Sequence, residues 1–260
     1  MKPSILAEDI LTLMVYGFNL FSRPTLHNWN QSSEGWLYQE GFLRRLQWLE
    51  TQRRVERQDK RADWVYKLTG KGRLFANTNL NPESQWQRTW DGWWRQLIFD
   101  LPVEHKKARD QLIRWLRRNR FGYLQDSVWI SPHPVKDVAR AMREFRDDAG
   151  SFTIMESHCA PGFSNAALVE GAWPLGKIHE KHDAYLRFAT SACQQLKFGQ
   201  QHPRDLFRLL QEERWHWSGA FKEDPLLPRV LWPRDYQGEK AWRLRQRLLR
   251  ALASQIPNNN

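Results

Sequence analysis

Apolar positions along the chain change their spacing several times, and the changes divide it into segments. Over residues 4–21, Ile5, Leu6, Ile10, Leu13, Met14 and Phe18 recur every three or four positions, which predicts an amphipathic helix. Ser22 and Pro24 are start signals for a short second helix over residues 22–31. In the stretch SSEGWLYQEGFLRRLQWLETQ, Phe42, Leu43, Leu46 and Leu49 share one side of a third helix. Gly41, Arg44 and Trp48 lie on the other side and Arg45 on the flank. The spacing then falls to two. Val55 begins a strand, Gln58-Asp59-Lys60-Arg61 reads as a charged turn, and Trp64, Tyr66 and Leu68 alternate on a second strand. Three helices followed by a hairpin is the order of a winged helix-turn-helix, whose third helix enters the major groove of DNA while the wing touches backbone.

Residues 93–101 (WWRQLIFDL) form a hydrophobic strand that ends at Pro102. A helix is predicted over 104–120, with Ala108, Leu112, Ile113, Trp115 and Leu116 inward or lateral and Arg109, Arg114, Arg117 and Arg118 solvated. Residues 121–131 alternate as one strand closed by Pro132 and Pro134. A helix at about 135–147 then leads to a strand at Ser151–Ser157. This order suits a ferredoxin-like sandwich. Beyond Trp173 the spacing is helical over 177–198, 203–215 and 239–255. The intervening FKEDPLLPRVLWPRDYQGEKAW is proline-rich yet apolar, which predicts a packed segment rather than a free linker. The fold class expected is α+β and multidomain: a winged helix-turn-helix over residues 1–82, a ferredoxin-like βαββαβ-type domain over 83–170 and a mostly helical domain over 171–260.

Charge sharpens this picture. Lys and Arg outnumber Asp and Glu by 40 to 29, for a net charge of +11, which favours a polyanionic partner. Residues 41–73 hold ten Lys or Arg against four Asp or Glu, a local excess of +6. The residues expected to meet double-stranded DNA are Tyr38, Gly41, Arg44, Arg45 and Trp48 on the third helix, with Arg53, Arg54, Arg57, Lys60 and Arg61 along the hairpin. A winged helix used only for protein contacts would carry the same charges as a solvated face. The expected location is the cytoplasm, without a membrane segment: no apolar run reaches the ~18 residues that span a bilayer. Glu8 and Asp9 interrupt what would be a leader's apolar stretch, and Cys159 and Cys193 are too few for a disulfide framework. Most of the fifteen tryptophans are expected in cores or interfaces.

Three stretches, taken in order, resemble the PaaX family of bacterial transcriptional repressors. WDGWWRQLIFDLP with RDQLIRWLRRNRFGYLQDSVWISP is similar to the family's middle domain, itself similar to the small CRISPR adaptation nuclease. Leu68-Thr69-Gly70-Lys71-Gly72-Arg73 resembles its wing-ending L-T-x-x-G-R. Asp224-Pro225-Leu226-Leu227-Pro228, Leu231-Trp232-Pro233 and Gly238 resemble its C-terminal signature, with Tyr236 where the family usually has Trp. The N-terminal helices, with NWNQSSEGW at their turn, look less like the family.

The resemblance implies a homodimeric repressor on a palindromic operator. Its C-terminal domain would dimerise and bind an effector, in the best-known relatives an aromatic acyl-coenzyme A thioester. Arg187, Arg204, Arg208, Arg229 and Arg234 are candidates for the coenzyme A phosphates, and each reads equally well as a surface charge. In the nuclease relatives an acid at the position of Asp100 binds a divalent metal. Here it stands without a second acid that the pattern requires, although Asp126 could approach, and it reads better as a capping or salt-bridging group. His179 and His182 fit a helical pair but lack further ligands, and they read as surface histidines. No catalytic residue, cofactor or bound metal is expected, and no nucleophile elbow, phosphate loop or dinucleotide fingerprint is present. The competing readings are a metal-dependent nuclease using Asp100 and a non-specific architectural DNA-binding protein.

Overall fold

The computed structural model describes residues 10, 14, 20–22, 42–60, 63–71, 82–100, 105–134, 151–197 and 203–255. Its first elements are β1 (Leu20–Ser22), α1 (Phe42–Thr51), β2 (Val55–Lys60) and β3 (Asp63–Leu68). Then come α2 (Glu83–Trp86), β4 (Trp94–Asp100), α3 (Lys106–Arg118), β5 (Gly122–Gln125), β6 (Val128–Ser131) and β7 (Ser151–Ser157). The chain ends in α4 (Asn165–Ala172), α5 (Leu175–Gln195), α6 (Pro203–Phe221), a 3-10 turn at Arg229–Leu231, and α7 (Gly238–Gln255). Two compact units result. One comprises Met1–Pro82, His182–Ala220 and Gln237–Asn260; the other comprises Glu83–Lys181 and Phe221–Tyr236.

In the first unit, β1, β3 and β2 form an antiparallel sheet in that order. Ile10 and Met14, one helical turn apart, are both buried, as the predicted inner face requires. Leu20 and Phe21 were expected to end that helix and instead lie in β1, opposite Tyr66 and Val65. Periodicity does not separate a last helical turn from a three-residue strand, and here cross-strand pairing satisfies the backbone. Ser22 is accordingly a strand residue rather than a cap, and the predicted second helix lies outside the described residues. The hairpin turn also moves. Gln58, Asp59 and Lys60 were expected to turn, but β2 runs through them to the pair Lys60↔Asp63. Backbone pairing extends the strand through a charged stretch whose composition resembles a turn.

In the C-terminal part of this unit, α5, α6 and α7 pack against one another. His182, expected at the surface, is fully buried. It lies on the stripe that carries Ile178, Tyr185 and Ala189, at spacings of four, three and four residues. Glu213 of α6 and Arg245 of α7 are buried as a pair. Arg245 Nε donates to Glu213 Oε1 at 2.8 Å, and the Arg245 side chain also donates from Nη2 to Oε2 at 3.3 Å. Tyr185 Oη donates to the same carboxylate at 2.9 Å, and the Arg245 guanidinium stacks 4.4 Å from the Trp217 ring centre. Burial and the Glu213 charge push the Tyr185 hydroxyl well up from its ordinary pKa, so it remains a donor.

In the second unit the sheet order is β5-β6-β4-β7, antiparallel throughout. Numbered within the unit this is second, third, first, fourth, the order of a βαββαβ ferredoxin-like sheet. Leu97, Phe99 and Trp129 meet Leu112 and Leu116 of α3 on one face. On the other, Trp94 and Ile130 pack with Val169, Ala172, Trp173, Leu227 and Leu231. The stretch 121–131, expected as one strand, is a hairpin: Gln125 pairs with Val128, and Asp126 turns the chain at φ +43°. Asp tolerates that left-handed conformation better than most side chains. The helix expected near 135–147 lies outside the described residues.

The DPLLP stretch is packed down, as expected, and built around a polar hub. Asp224, 1% exposed, accepts from the Leu226 amide at 2.7 Å and from Tyr236 Oη at 2.9 Å. Arg120 donates to the backbone oxygen of Asp224 and His133 Nε2 to that of Pro225 at 2.9 Å, while Arg88 approaches His133 Nδ1. Burial, and then the Arg88 charge, push the His133 pKa down to about 4.

Candidate nucleic-acid interface and a basic groove

Helix α1 is anchored by Leu46 and Leu49, both fully buried, which turns Arg44 and Gln47 outward and leaves Trp48 47% exposed. Arg53 adopts φ +55° and reverses the chain. Its amide donates to Glu50 O at 2.8 Å and that of Arg54 to Leu49 O at 2.9 Å. Thr69 then ties the end of β3 to this reversal, its hydroxyl donating to the Arg53 oxygen at 2.7 Å and its amide to that of Arg54 at 3.1 Å. The Arg54 guanidinium sits 5.4 Å over the Trp48 ring, so helix and hairpin share one edge.

On α1 and the hairpin Arg44, Arg53, Arg57, Lys67 and Lys71 are exposed and Arg45 and Arg54 half-buried, with Arg57 and Lys67 on opposite faces of the strand pair. The acids of this stretch are Glu50 on α1, Glu56 opposite Lys67, and Asp59 and Asp63 at the far end of the hairpin. Lys60 closes β2. Tyr38, Gly41 and Arg61 lie outside the described residues. Exposed guanidinium groups on two rigidly joined elements can donate to phosphate oxygens in a fixed register, and an outward arginine on a helix can also reach base edges.

The C-terminal arginines do not form one cluster. Arg204 falls in the first turn of α6, and Arg208 is paired with Asp205 at 3.1 Å and Glu212 at 4.0 Å. In the other unit, Arg229 lies 5.2 Å over the Trp232 ring and Arg234 is exposed. Arg187 is different, because it lines a groove of about 790 Å³ between α5 and α7. Leu186, Thr190, Ser191 and Gln194 complete the α5 wall, and Lys240, Arg243, Leu244 and Arg247 form the α7 wall. The three α7 cations escaped the sequence reading, which followed only that helix's apolar stripe. Their spacing of three and four residues was the available signal.

Asp100 is exposed at the end of β4, opposite Ser151, and Asp126 is exposed in the β5–β6 turn. Among the described residues no three His, Cys, Asp or Glu side chains cluster to hold a metal ion, and no helix is long and apolar enough to cross a membrane.

Strand order and the covering helices define the central domain as ferredoxin-like. Residues 87–169 match the family model described as the PaaX protein central Cas2-like domain. The likeness to the PaaX family is carried by this central stretch. Among solved structures, the uncharacterized protein Rv0674 from Mycobacterium tuberculosis has the same fold. It is 20% identical over 97% of each chain, with a TM-score of 0.53. No curated protein matches the chain.

Proposed function

We propose that this protein is a DNA-binding transcriptional regulator, acting as a homodimeric repressor on a palindromic operator and released by an acyl-coenzyme A thioester. The observation that carries the reading is the cationic edge shared by α1 and the β2–β3 hairpin, on a chain whose central domain matches that of the PaaX family. In this reading α1 is the recognition helix, with Arg44 and Trp48 facing the major groove. The hairpin is the wing, with Arg57, Lys60 and Arg61 along the phosphates. The β1-β3-β2 sheet supports it, because that strand order braces a wing against the preceding helices.

The test is fluorescence anisotropy with the chain's own promoter against random duplex, across a salt series. Each phosphate contact contributes a slope of about −0.9 in log affinity against log salt, so five contacts give about −4.5. Arg57→Ala should weaken binding to every sequence alike and flatten the slope by about one contact. Equal affinity for promoter and random duplex, or affinity indifferent to salt, would overturn the proposal.

A further inference from the structure

We infer that the groove between α5 and α7 binds a phosphate-bearing small molecule and is where the regulator receives its effector, an inference that rests on the regulatory reading above. Arg187, Lys240, Arg243 and Arg247 point charge into one concavity, and none of the residues lining it is acidic. Arg243 is partly neutralised by Glu239 at 3.1 Å. Arg187, Lys240 and Arg247 make no ion pair among the described residues. Cations brought together on facing walls repel each other, a cost that an anion between them removes.

The chemistry of the walls narrows the ligand. Guanidinium forks hold phosphate oxygens in pairs, and the Thr190 and Ser191 hydroxyls add neutral donors. Leu186 and Leu244 provide an apolar strip for a non-polar portion of the same molecule. The volume lies within the ~300–1,000 Å³ usual for small-ligand sites, and a cleft between two helices suits a compact ligand better than a duplex backbone. The walls are fixed in place. Gln237 Nε2 donates to Asp183 Oδ1 at 2.7 Å near one end of the paired helices, and Gln255 Nε2 donates to the Leu196 oxygen at the other.

Isothermal titration of the full chain with coenzyme A and with inorganic tripolyphosphate tests this, with DNA affinity measured on the same samples. The wild type should bind both probes. The Arg187→Glu/Arg247→Glu variant should lose roughly tenfold or more in each case while binding DNA as before. Arg234→Glu, an exposed basic control, should change neither. No binding by the wild type, binding retained in the double variant, or a double variant that loses DNA affinity in the absence of ligand would each overturn the inference. A wild type that binds the probes through the groove but shows no operator preference would uphold the site and remove the regulatory reading.

Discussion

Replacing Glu213 by Ala should be among the costliest single changes in the helical part of the molecule. Glu213 is fully buried and Arg245 is 5% exposed, and two hydrogen bonds at 2.8 and 3.3 Å join them. Removing the carboxylate leaves a guanidinium in the interior without its counter-charge and the Tyr185 hydroxyl without its acceptor. Breaking one side of such a pair typically costs about 3–5 kcal/mol. The Trp217 ring against Arg245 returns about 1–2 kcal/mol of that at most, so a loss near 3 kcal/mol is expected. That is roughly two decades in the local opening constant. The double variant Glu213→Leu/Arg245→Met removes both charges and should recover most of the loss, since apolar replacement of a buried pair is often close to neutral. Urea unfolding followed by circular dichroism gives the size of the effect, and hydrogen exchange resolved by mass spectrometry assigns it to α5, α6 and α7. A single variant within ~1 kcal/mol of wild type would refute the reasoning, as would a double variant no better than Glu213→Ala.

Gly122→Ala should destabilise the central unit by ~1–3 kcal/mol. A Cβ there would stand 2.6 Å from the Trp173 ring and 2.8 Å from Ala172 Cβ. Gly70→Ala, with nothing within 4 Å, should leave the urea midpoint in place. Tyr236→Phe withdraws the hydroxyl from buried Asp224 and should cost about 1.5–3 kcal/mol in the same assay, with an unchanged midpoint counting against the hub. His133 gives a pH signature. Its folded pKa lies below the unfolded one, so the unfolded chain takes the proton first. Stability is complete above about pH 7 and falls as the pH drops from about 6.5 towards 4, by ~3 kcal/mol in all. His133→Gln should flatten that profile, and a wild type with constant stability across the window would contradict the assignment.

Elements with a strong, long period were legible in the sequence. Strand 151–157 matches to the residue, and helices α3 and α7 match to within two positions. Short elements were not, because a few residues fit more than one period. Leu20–Ser22 could end a helix, and the Gln125–Val128 turn hid inside an alternating run. Helix α4 (NAALVEGA) shows almost no amphipathic pattern, and its one clear signal was Ser164, whose hydroxyl caps the helix by accepting from the Ala167 amide at 3.1 Å. The arginines of the candidate site were visible as charge. Their grouping was not, since only the pairing of α5 with α7 joins Arg187 to Lys240, Arg243 and Arg247. The polar hub around Asp224 was invisible for the same reason: Arg120 and His133 reach it from about a hundred positions away in the chain.

The polypeptide passes between the two units four times, at positions 82–83, 181–182, 220–221 and 236–237. A nascent chain leaving the ribosome therefore cannot finish the central unit when its last β-strand emerges. Leu227 and Leu231, which belong to that unit's core, arrive only after α5 and α6 have been synthesised. Cutting the gene at residue 170 or 181 would produce fragments with missing interior rather than free-standing domains. Dissection of this molecule is better done by side-chain replacement than by truncation.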